Sequence, residues 1–125
     1  MQLEALRTID SEDTPSLAPD DRPIDLVHLA RTTLGDRGLE CEVLQLFDRQ
    51  STLLLARMRA ATPAAVSTLA HTLKGSARGI GAWRVARAAA ALELAEGTQA
   101  TNALDALAAA TDEARAVIAD LLKAN

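Results

Sequence analysis

Four successive stretches of this chain carry apolar residues at a spacing near 3.6, and the residues between them are ones that stop or start helices. Leu44, Phe47, Ser51, Leu54 and Met58 align on one face of a segment running from about Leu39 to Ala60. Thr62 and Pro63 then supply an N-cap and a first-turn proline, so a second helix is predicted from there to about Gly79, with Gly79 and Gly81 ending it. A thin, Ala-rich third helix is expected over about Ala82 to Glu96, with Gly97 as its C-terminal stop. Thr98 or Thr101 is suited to cap the last, whose stripe is Leu104, Leu107, Thr111, Ala114, Ile118 and Leu121. Connections this short lay consecutive helices antiparallel, which predicts an all-α, up-down-up-down four-helix bundle.

Composition agrees. Ala and Leu abound while Phe47 and Trp83 are the sole aromatics, a balance that favours helix over strand. A chain of 125 residues has room for one modest core. Residues 24–125 are assigned to the bundle, with an additional short helix in front, capped by Asp25, running to Thr33 and interrupted at Gly35. Residues 10–23 hold three prolines and five acids, so residues 1–23 read as an acidic, flexible leader that cannot bury enough surface to order itself. Leu3, Leu6 and Ile9 permit a loose helical turn within it.

No apolar run approaches the roughly 20 residues that span a bilayer, and the start lacks the basic and apolar regions of a signal peptide. The expectation is a cytoplasmic protein. The single cysteine, Cys41, excludes an internal disulfide and reads as a small apolar helix residue. The formal net charge of −4 conceals an uneven distribution. Segment 49–92 has seven basic residues (Arg49, Arg57, Arg59, Lys74, Arg78, Arg84, Arg87) and no acid, while the remainder, with six basic and 17 acidic residues, stands at −11. That segment is fitted to meet something negative, or is simply a solvated basic face.

On a helical wheel of the second helix, Val66, Leu69, Leu73, Ser76, Ala77 and Ile80 share one side and His71 falls nearly opposite. Ser67, Thr68, Lys74 and Gly75 are its i±3 and i±4 neighbours, with Arg78 a turn further on. An imidazole pointing to water is a nucleophile near neutral pH, since its unperturbed pKa is about 6.5. A lysine one turn away is placed to hold a negative charge formed on it and to disfavour ring protonation. Gly75 costs about 1 kcal/mol relative to Ala within a helix, a cost consistent with making room beside the ring.

The run Ala70-His71-Thr72-Leu73-Lys74-Gly75-Ser76-Ala77, followed by Ile80-Gly81-Ala82 and by Leu92-Glu93, resembles the signature of the histidine-containing phosphotransfer (HPt) family. Ile24-Asp25-Leu26, Gly35-Asp36 and Leu46-Phe47 extend the likeness upstream, so that it covers about residues 24–97. The resemblance implies that His71 accepts a phosphoryl group, with Lys74 stabilising its charge and Gly75 giving steric access. It also implies that Glu93 orients the imidazole, although by itself Glu93 reads equally as an exposed helix acid. Arg78-Gly79 departs from the family, which more often has smaller or amide side chains there, and puts partner choice in question.

The implied function is a phosphorelay intermediate, taking phosphate from a receiver-domain aspartate and passing it to another receiver. The partners would be response-regulator receivers and an upstream hybrid histidine kinase, met through Ser67, Thr68, Arg78, Arg84 and Arg87. No Gly-rich phosphate loop or second domain is present, so the chain is read as a non-enzymatic module that depends on the receiver and its Mg²⁺. No bound cofactor is expected, and two histidines without a cluster of ligands make a poor metal site. His28 reads as a packing residue, and no Ser or Cys stands in a nucleophile context. A monomer is expected. The rivals are a non-catalytic helical adaptor and a nucleic-acid binder using segment 49–92, the latter disfavoured by overall acidity and the lack of interleaved aromatics.

Overall fold

The computed structural model describes residues 22–124. The acidic leader expected over residues 1–23 lies, up to residue 21, outside the described residues. Five helices follow in order: α1 (Leu26–Thr32), α2 (Arg37–Ala60), α3 (Pro63–Ile80), α4 (Trp83–Leu94) and α5 (Thr98–Lys123). Helices α2 to α5 form a ring in which each packs on the next and α5 closes against α2, while α1 rests on α3. This is a four-helix bundle with a short N-terminal helix. Among the described residues, no helix is long and apolar enough to cross a membrane.

The core takes in most of the predicted stripes, with Ala70 added on α3 while Ser76, Leu104 and Leu121 are only partly covered. Leu44, Phe47, Ser51, Leu54 and Met58 of α2 are all buried, as are Leu107, Thr111, Ala114 and Ile118 of α5. On α3 the buried line is Ala70, Leu73, Ala77 and Ile80, flanked by the partly covered Val66 and Leu69. The hydroxyls of Ser51 and Thr111 remain satisfied in the core by bonding back to Asp48 O (3.2 Å) and Leu107 O (2.8 Å). Asp48 also receives Arg115 Nε at 2.6 Å, an ion pair across the α2–α5 seam.

Asp25 and Thr62 are the predicted caps, accepting from the amides of His28 and Ala65, while α2 begins two residues before the expected Leu39, capped by Asp36, which accepts from the Leu39 amide. Two terminators differ. Gly79 stays inside α3, and Gly81, at φ +81°, is the left-handed cap. Gly97 is not the stop of α4, which ends at Leu94 with Ala95 already extended. Instead Gly97, at φ +61° and ψ −135°, is the N-cap residue of α5, so that Thr98 is its first helical residue and Thr101 lies within it. That backbone conformation is open to glycine and strained for other residues, which is why the turn forms there rather than at either threonine.

A seven-residue helix is marginal alone, so α1 depends on its anchorage. Ile24 and Leu29 are buried, Asp25 N donates to Gly81 O (2.9 Å), and Trp83 Nε1 donates to Asp25 Oδ2 (2.9 Å). His28 stacks edge-on against Trp83 with ring centroids 4.9 Å apart, and is a packing residue. Gly81 is required twice over, because a Cβ there would lie 2.9 Å from both Cβ and O of Asp25.

Gly81→Ala should therefore lower stability by about 1–3 kcal/mol in urea unfolding, through left-handed strain and displacement of Asp25. A second expectation concerns acid. The indole N–H of Trp83 foremost, helped by the His28 amide and opposed by burial, holds the Asp25 carboxyl below its ordinary value of 3.8. Its stabilising contribution is then complete above that ordinary value and disappears as pH falls through the lower folded one. Asp25→Asn keeps a capping oxygen but sets an amide NH2 where Trp83 Nε1 needs an acceptor, so it removes the charge and the indole bond together. The Tm gap between wild type and Asp25→Asn should be widest near neutrality and should shrink as pH drops below about 4.

Candidate functional site

The opposition of His71 to the buried line of α3 leaves its side chain 70% exposed. Lys74, one turn on, leans to the α4 side and is only 17% exposed. Facing both is Glu93 of α4, 18% exposed. Glu93 Oε2 lies 3.0 Å from His71 Nδ1, and Oε1 lies 2.5 Å from Lys74 Nζ. Oε1 is fully covered, with the Lys74 ammonium as its close ion-pair partner. Lys74 foremost, then His71, holds the Glu93 carboxyl below the usual carboxylate range, against the burial that pushes it up.

An ionised carboxylate can only accept a hydrogen bond, so the ring proton belongs on Nδ1 and the lone pair on Nε2. The arrangement leaves one ring nitrogen directed away from the carboxylate that meets the other. Gly75 leaves the helix surface low beside it. Among the described residues, nothing beyond the adjoining turns of the helix backbone lies within 4 Å of a Cβ built at Gly75 or at Gly79, so packing among them demands neither glycine.

The remaining residues singled out from sequence are scattered. Ser67, half-buried, shares with Glu93 the wall of a cavity of about 380 Å³ bounded also by Val66, Leu92 and Leu104. Thr68 is exposed, with its hydroxyl turned back to Ala64 O. Arg78 is exposed on the outward side of α3, one turn beyond Lys74. Arg84 is elsewhere: it bonds Glu113 of α5 at 2.9 Å, and nine residues before Glu93 on the same helix places it on the opposite side of α4. Arg87 is exposed on α4. The basic segment is thus no single face, since Arg59, Lys74 and Arg84 all pair with acids of α4 or α5, namely Asp105, Glu93 and Glu113.

Sequence reasoning missed an apolar groove of about 260 Å³ between α2 and α3, lined by Val43, Leu46, Phe47, Gly79 and Ile80. Leu46 and, at seven-residue spacing on the same helix, Leu39 and Leu53 are 55%, 40% and 53% exposed. Their i, i+7 spacing was readable as a second stripe on the helix, had the outer face been searched as the inner one was. Among the described residues no three His, Cys, Asp or Glu side chains are grouped to hold a metal ion.

No curated protein and no solved structure matches this chain. The model of the Hpt domain family matches residues 42–121, nearly two thirds of the sequence, from α2 through α5. That span contains His71, Lys74, Gly75 and Glu93, all of α3 and α4 and most of α2 and α5, and by it the chain belongs to the Hpt domain family.

Proposed function

We propose that this protein is a cytoplasmic, monomeric phosphorelay intermediate, which takes a phosphoryl group onto His71 from the aspartyl phosphate of one receiver domain and yields it to another. The upstream source would be a hybrid histidine kinase and the downstream acceptor a response regulator. The observation that carries the reading is the Glu93–Nδ1 contact, which leaves an exposed Nε2 as the nucleophile. Membership of the Hpt family supports phosphotransfer as the chemistry.

The Nε2 lone pair attacks phosphorus in line with the receiver's acyl oxygen. The N–P bond forms, the P–O bond breaks, and its electron pair returns to the aspartate. The ring proton stays on Nδ1 against Glu93, so no proton needs to leave during the step. Return transfer is the reverse, with the receiver carboxylate attacking and the pair returning to Nε2. The receiver's Mg²⁺ offsets phosphoryl charge during the exchange. The chain itself brings the oriented nucleophile and a docking surface, while cleavage of a nucleotide is left to other proteins.

Docking falls to the groove between α2 and α3, where Leu46 and Gly79 share a wall and Leu39 and Leu53 are exposed on α2 at seven-residue spacing from Leu46. A row of exposed apolar side chains marks an interaction surface. Arg78 at its edge adds steering toward an acidic partner more than affinity, which suits a transient complex.

Incubated with a phosphorylated receiver and Mg²⁺, wild type should acquire label that is lost in acid and kept in alkali, and His71→Gln should acquire none above background. Normal labelling of His71→Gln, or no labelling of wild type by any receiver of its host, would refute the assignment. Leu46→Asp should slow labelling by the receiver at least several-fold, because a charge must then be desolvated in the contact, yet leave unchanged the slow labelling of His71 by inorganic phosphoramidate. Equal loss with both donors would show that Leu46 supports the fold rather than docking.

A further inference from the structure

A lysine that served only to hold a phosphoryl group on Nε2 would keep its ammonium in the open, near the exposed edge of the ring. Lys74 does not. Its side chain is drawn into the α3–α4 seam, where its Nζ meets the Glu93 oxygen opposite the one that meets Nδ1. One carboxylate therefore serves two cationic or proton-bearing groups, and whatever it gives to Lys74 it withholds from the ring.

The consequence appears once Nε2 carries phosphorus. With a proton on Nδ1 the phosphorylated ring is imidazolium-like, and breaking the N–P bond releases a neutral imidazole. Without that proton the leaving group is an imidazolate, a far stronger base and a far poorer leaving group. Only the protonated ring is a competent donor. A negative charge next to Nδ1 favours the proton, and a positive charge on the same carboxylate weakens that effect. The charged groups at the ring are Lys74 on its own helix and Glu93 on α4, with Arg78 one turn beyond Lys74, Arg87 exposed on α4, and Glu96 in the connection that follows α4. Among the described residues, no charged side chain of α1 or α2, including His28, Arg31, Arg49 and Arg57, forms an ion pair with His71, Lys74 or Glu93.

We propose that Glu93 and Lys74 are an opposed pair of positioning residues that sets the pH above which phosphorylated His71 ceases to donate, Glu93 raising that limit and Lys74 lowering it through the shared carboxylate. The inference rests on the phosphorelay reading with phosphorus on Nε2. It gives Lys74 a role different from direct phosphate binding, and makes the ratio of phosphate retention to transfer a property of the α3–α4 seam.

The test uses the full chain, phosphorylated by inorganic phosphoramidate so that no partner is involved. The midpoint of ring titration is followed by ³¹P NMR, and the pH profile of transfer to a receiver is measured in parallel. Glu93→Gln retains an acceptor for Nδ1–H without the charge, and should lower both midpoints by about one pH unit. Lys74→Met should raise both, and the rise should shrink by at least half when Glu93→Gln is already present, since the lysine acts through that carboxylate. Glu96→Gln should leave the midpoints in place. Equal midpoints in wild type and Glu93→Gln, an undiminished Lys74→Met effect in the double variant, or an equal shift from Glu96→Gln would overturn the proposal. Failure of the underlying relay reading looks different: phosphorylated His71 would titrate normally but pass nothing to any receiver.

Discussion

The close packing of α3 on α4 is the constraint on which the rest of the site depends. Small residues make it possible, with Ala70 and Ala77 on one helix and Ala86 and Ala89 on the other almost completely buried. Larger side chains at these positions would push the helix axes apart, and a carboxylate has too short a stem to follow. Glu93 reaches both His71 and Lys74 because the seam is narrow. The Ala-rich character of α4, which looks like weak packing material when counted by volume, is what brings a side chain of one helix into hydrogen-bonding range of another's nucleophile.

The position of that seam is in turn held from its end. Gly81 turns the chain between α3 and α4, and the space a side chain would occupy there is filled by Asp25. Asp25 caps α1 with one oxygen and receives the Trp83 indole with the other, tying the start of the bundle to the first residue of α4. One carboxylate links the α1 N-terminus and the α4 N-terminus, and a second, Glu93, links the nucleophile and its neighbouring cation. Both are depressed in pKa by the donors they accept, and both hold two partners with two oxygens.

Most of the architecture was legible in the sequence because it follows from periodicity and from residues with special backbone preferences. The α2 face read from Leu44 to Met58 is the buried one, and Thr62-Pro63 begins α3. The exposure of His71 followed from the same wheel. What stayed hidden involved choices between helices. Lys74 and Arg84 have long side chains that reach in several directions, and only the partner helix decides whether they meet solvent, a receiver or an acid of the same chain. Gly97 was misassigned because a glycine between two helices serves the first as a stop or the second as an entry, and its backbone angles alone distinguish these. The segregation of charge along the chain likewise mapped imperfectly onto the surface, since folding laid the acids of α4 and α5 against several of the basic residues.

The proposed relay turns on one atom, the nitrogen of His71 turned away from Glu93, as the carrier of the phosphoryl group. The most direct measurement is ¹⁵N–³¹P coupling in phosphorylated protein labelled with ¹⁵N in the histidine ring. Coupling to Nε2 of His71, with a proton retained on Nδ1, is the predicted result. Coupling to Nδ1, to His28, or to no histidine would contradict the account.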